Sequence, residues 1–104
     1  MENNFVRLKG TVKRDASANA GVMDFALCVI GAKGRVNFFD CRVTQQSKAF
    51  RQLEGFVNVG EEIELVGHLE KRTWSEGQKL AGVTVDVQHT VIFVLVDDII
   101  ETED

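Results

Sequence analysis

The chain has 104 residues, 44% of them hydrophobic and 27% charged, which fits one globular domain and is too apolar for a disordered chain. Its net charge is −4, but five of the sixteen acids lie in the last eight residues. Residues 1–96 therefore carry twelve Lys/Arg against eleven Asp/Glu, a formal +1, so overall acidity does not exclude a polyanionic partner.

The residues from Met1 to Arg14 alternate apolar and charged and form no secretory leader, and the longest apolar run, Val91–Val96, is too short for a bilayer. A cytoplasmic protein without a membrane partner is expected. Asn4–Arg14 puts Val6, Leu8, Gly10 and Val12 on one face and Arg7, Lys9, Thr11 and Lys13 on the other, a half-buried strand with a basic outer side. The small polar run Asp15–Gly21 reads as a loop. Val22–Ile30 is a second strand with Phe25, Leu27 and Val29 inward, and Gly31–Gly34 is a tight basic turn. Arg35–Thr44 is a third strand. Phe39, Cys41 and Val43 face inward, which leaves Phe38 outside with Asp40, Arg42 and Thr44.

The period then changes. Ala49, Phe50, Leu53 and Phe56 share one helical face, with Ser47 as N-cap. Beyond Gly60, the run from Glu62 to Trp74 sends Ile63, Leu65, Gly67 and Leu69 inward and Glu64, His68, Glu70, Arg72 and Trp74 outward. Ser75-Glu76-Gly77 is the expected turn, and Val83, Val85 and Val87 are the expected core face of a fifth strand that Val91–Val96 extends or follows. Three strands, a short helix and two more strands make an all-β, five-stranded Greek-key OB barrel, one domain over residues 1–104 with an acidic end at 97–104. Gly10 and Gly67 suit the bends that close it.

Trp74 has no apolar neighbour on its own strand face and stands two residues from Arg72; Phe38 repeats the arrangement beside Arg42. Exposed rings interleaved with arginines make a stacking surface, rings for bases and guanidiniums for phosphates. The same tryptophan equally suits cover for a hairpin or a subunit contact. Lys33 and Arg35 at the turn, Arg7, Lys9 and Lys13 on the first strand, and Lys79 beyond Gly77 complete the candidate nucleic-acid-binding set, although alternating charge is also the ordinary look of a solvated face. His68, His89, Cys28 and Cys41 lack metal-ligand spacing, the two cysteines face opposite sides of the wall, and no catalytic motif occurs. No metal, cofactor or enzymatic activity is expected.

These residues resemble the bacterial single-stranded DNA-binding protein family over almost the whole chain. Asn4–Val12 with Arg14-Asp15 is similar to the family's Asn-x-Val-x-Leu-x-Gly-x-Leu strand and nearby Asp, and Asp24–Val29 to its Asn-Phe-Ser-Leu-Ala-Val. Phe38–Val43, Gly60 through Gly67-His68-Leu69, Arg72-Thr73-Trp74 and Gly77-Gln78 follow its later strands. The resemblance implies base stacking at Trp74 and Phe38, backbone contacts from nearby basic residues, assembly into homodimers or homotetramers, no cofactor, and a place in DNA replication, recombination or repair, with RNA not excluded as a ligand. The chain departs from the pattern at Thr44, where the family has another aromatic, and in the short Gly31–Gly34 turn. Extra residues near Gln45–Lys48 and the absence of a flexible tail before the acidic end are further departures. They imply a reduced or specialised member: a weaker binder, or a primosomal-protein-like assembly module that docks replication or repair proteins.

Overall fold

The computed structural model describes residues 4–100. Strands β1 (Val6–Val12), β3 (Val22–Ile30), β4 (Val36–Thr44), β6 (Glu62–Leu80) and β7 (Val83–Ile100) close into one barrel in the order β1-β3-β4-β7-β6. Two-residue strands β2 (Ala16–Ser17) and β5 (Phe56–Val57) pair beside it, the first within the segment expected to be a loop. The five-stranded OB barrel is therefore as the sequence pattern predicts. Alternation does the sorting: Val12, Met23, Phe25, Leu27, Cys41, Val43, Leu65, Val94 and Val96 fill the interior, with Val6, Leu8, Val29 and Phe39 packed on them.

The closing seam is parallel and short. β4 and β7 pair only at Cys41↔Val94 and Arg42↔Leu95. Gly10 and Gly67 sit where the wall folds on itself: a Cβ on Gly10 would strike the Cys28 carbonyl, and one on Gly67 the Leu95 carbonyl. At Val66/Gly67 the β6–β7 register shifts, so that Asp97 is left out of the backbone ladder. Asp97 and Asp98 thus belong to β7, and the acidic end does not begin after the last strand; residues 101–104 lie outside the described residues.

Helix α1 (Lys48–Gln52) is shorter than its pattern. Ser47 caps it as expected, its Oγ accepting from the Phe50 amide at 3.3 Å. Ala49 is buried and Phe50 and Leu53 pack on the core, but Phe56 has left the helix and is exposed. The Gln52 side chain pairs with both backbone groups of Ile99 at 2.8 and 2.9 Å and fixes the helix to β7. Among the described residues no helix is long and apolar enough to cross a membrane.

The last hairpin differs from expectation. Ser75-Glu76-Gly77 is not a turn; β6 runs through it to Leu80 and returns at Ala81-Gly82. Both turn residues have positive φ, 53° and 80°, the primed geometry whose twist matches the strands it joins. Val83 and Val85 are consequently no core face: they are 60% and 40% exposed on a two-stranded ribbon that projects from the barrel. Leu69 keeps its inward parity but is 45% exposed, because β6 is leaving the rim there.

Candidate nucleic-acid interface

The ribbon continues the outer surface of the barrel. Arg72 pairs with Val91, Trp74 with His89 and Glu70 with Phe93, so these six side chains share its outward face. The opposite face carries the Thr73 and Thr90 hydroxyls, 3.3 Å apart, with the exposed Ile92 nearer the barrel. Trp74 is 37% exposed but has an aromatic neighbour that its own strand does not reveal. The His89 ring stacks on it, centroids 5.3 Å apart and planes 22° from parallel, and the Arg72 guanidinium lies 5.5 Å from the indole centroid. His89 Nε2 is shielded from solvent and 3.2 Å from the Glu76 carboxylate, without the alignment of a hydrogen bond.

Phe38 is 65% exposed on the outer face of β4. Because β4 and β7 run parallel but part after two residue pairs, the register puts Phe38 and the ribbon at the same end of the barrel. An open groove of about 240 Å³ lies along the parting, lined by Arg14, Arg42, Asp24 and Asp40 with Val91, Ile92 and Phe93. Arg42 lies over the Phe93 ring at 5.0 Å and donates from Nε to Asp24 at 2.8 Å. Arg14 is 3.8 Å from Asp40. The groove thus holds two arginines, each beside a carboxylate.

The remaining sequence-predicted residues divide by location. Arg7 pairs with Glu64 and Lys9 with Glu62, on the β1–β6 side of the ring and away from the groove. Lys13 lines a shallow hollow on β1 and β3 with Cys28 and Ile30. Lys33, with φ of 62°, and Arg35 stand exposed at the β3–β4 turn, and Lys79 is exposed near the ribbon tip. Lys13, Lys33, Arg35, Arg72 and Lys79 make no ion pair with another described residue. The structure therefore puts Arg42 in the groove, Arg72 and Trp74 farther out on the ribbon that walls it and Phe38 on the outer face of β4 at the same end of the barrel, and it leaves Arg7 and Lys9 elsewhere.

Sequence reasoning missed His89 and Phe93. The signal was present: Val83, Val85, Val87, His89, Val91 and Phe93 alternate without a break, which marks one strand face across both valine runs. Both cysteines are free. Cys41 points inward, and burial, with the negative Asp40 beside it, pushes its thiol up to about 12.

No family model and no curated protein matches the sequence. Solved structures do match in shape. The mitochondrial single-stranded DNA-binding protein Rim1 of S. cerevisiae superposes with a TM-score of 0.64 at 12% identity, over 95% of this chain and 94% of that one. The dimeric N-terminal domain of PriB from Thermoanaerobacter tencongensis gives 0.62 at 18% identity, over 99% and 100%. The SSB of Plasmodium falciparum, solved in complex with ssDNA, gives 0.64 at 15% identity, over 91% and 87%. The chain has an OB fold, as these structures do. Within this OB fold the groove lies at the parallel seam, with the long ribbon as one wall and the outer face of β4 as the other.

Proposed function

We propose that the protein binds single-stranded DNA without sequence specificity, by stacking bases on Trp74 and Phe38 and holding phosphates with the flanking cations. The observation that carries this reading is the groove at the parallel seam, which holds Arg14 and Arg42, with the exposed Trp74 on the ribbon and the exposed Phe38 on β4 at the same end of the barrel. Each base stack is worth about 1–3 kcal/mol and is indifferent to base identity. The same contacts do not read the sugar, so single-stranded RNA is expected to compete. The resemblance in shape to proteins described as binding ssDNA supports the reading, as does the sequence pattern. We propose further that the protein assembles into homo-oligomers and serves in DNA replication, recombination or repair. Several cations already have acidic partners, which supports an affinity below that of a fully basic groove.

The test is a titration with oligo-dT followed through Trp74, the one tryptophan in the chain. Binding at low salt should quench its emission and weaken steeply as salt rises. Trp74→Ala should cost about 1–3 kcal/mol of affinity. Unchanged emission with no gel shift at micromolar protein rejects the proposal.

A second reading is favoured by the apolar row Val83, Val85 and Val91 on the ribbon. On this reading the OB barrel is an assembly module for replication or repair proteins that binds nucleic acid weakly. Trp74→Ala would then change the oligomer mass or partner capture and leave DNA affinity unaltered.

A further inference from the structure

Trp74 does not stand alone, and the way it is held has a consequence for binding. Two side chains cover the indole. Arg72 reaches it from two residues away on β6, and His89 reaches it from the paired position on β7. They differ in mobility. Arg72 is an exposed, unbranched chain that enters no ion pair with another described residue. His89 has a short side chain whose ring is set by its strand and flanked by the Glu76 carboxylate at 3.2 Å. A base that stacks on Trp74 therefore displaces the guanidinium, which moves at little cost and remains available to a phosphate. The imidazole stays in place.

We propose that His89 is the positioning residue of the Trp74 platform: its ring backs the indole and holds it open to an incoming base, while Arg72 acts as the displaceable cover. This rests on the reading that Trp74 stacks bases. The ribbon makes such a device necessary. Outside the barrel a two-stranded segment has no core beneath it, and an indole on its surface would otherwise lose rotamer freedom when a base binds. Fixing the ring in advance removes that cost from binding.

The experiment compares wild type, His89→Leu and His89→Phe in oligo-dT titrations at low salt, with near-ultraviolet circular dichroism of Trp74 in the free proteins. His89→Leu should weaken binding by roughly three- to tenfold, the range an aromatic pair supplies, and flatten the Trp74 dichroism. His89→Phe should restore both. His89→Gln is a second non-aromatic variant should Leu disturb folding, which thermal melting reports. Equal affinity of wild type and the non-aromatic variants overturns the proposal, as does a Phe variant no better than Leu. Failure of the wild type to bind at all rejects instead the functional reading beneath it.

Discussion

Arg42 shows how a single carboxylate sets the strength of the groove. Its guanidinium is already engaged by Asp24 at 2.8 Å, with Asp24 about half exposed. An exposed pair of this kind is worth about 0–1 kcal/mol, so a phosphate can replace the carboxylate, but only against that competition. Asp24→Asn should therefore strengthen oligo-dT binding at low salt. It should also steepen the fall of log affinity with log salt by about 0.7, the increment for one added phosphate contact on a single strand. An unchanged slope would place Arg42 outside the binding path. The cysteines give an independent check on burial. With its thiol held protonated by the core, Cys41 should be inert to thiol reagents in the folded protein. A Cys28→Ser variant should titrate no thiol until it is unfolded and then one.

At the scale of elements, the barrel was legible and the ribbon was not, for a physical reason. In the barrel, period-2 alternation matches burial because each strand has core on one side and water on the other: Phe25, Leu27, Cys41, Val43 and Leu65 all fall where alternation puts them. Beyond Gly67 the same alternation persists with no core to receive it, so Val83 and Val85 look like interior residues and are exposed. The turn was hidden too. Gly77 between polar residues looks like a reversal, whereas the real one uses Ala81 in a left-handed conformation that alanine seldom adopts. Of the site, Trp74, Arg72, Phe38 and Arg42 could be read from single strands, but His89 required the β6–β7 register. The ribbon's independence is testable. Glu76 pairs with Val87 in the same hydrogen-bonded phase as the turn-closing Leu80–Val83 pair, so replacing residues 77–86 by Asn-Gly rejoins the strands in register with a two-residue turn. Since none of the core lies in the removed segment, melting temperature should change by a few degrees at most, while loss of Lys79 should lower the salt slope of DNA binding by about 0.7. A collapse in stability would show that the ribbon supports the barrel.

The whole molecule is extended by its ribbon: 61 × 37 × 36 Å, with a radius of gyration of 16.4 Å against about 13 Å for a compact chain of this length. The barrel and ribbon meet at the register shift, where His68 stands between two acids. Its Nδ1 is 2.9 Å from Asp97 and its Nε2 2.8 Å from Glu70. The hydrogen bond to Asp97 raises its pKa above the ordinary 6.5, helped by Glu70 and opposed by partial burial. A histidine raised on folding stabilises the native state fully when pH lies below the unfolded value, and the gain is lost as pH climbs through the folded one. His68→Gln should accordingly cost melting temperature below pH 6.5, with the difference from wild type shrinking as pH rises well past that value. The same clamp holds the root of the ribbon that carries Trp74, so DNA affinity of the wild type should fall over the same rise in pH more than that of His68→Gln. Parallel pH profiles for the two proteins, in melting or in binding, would remove His68 from the junction's stability.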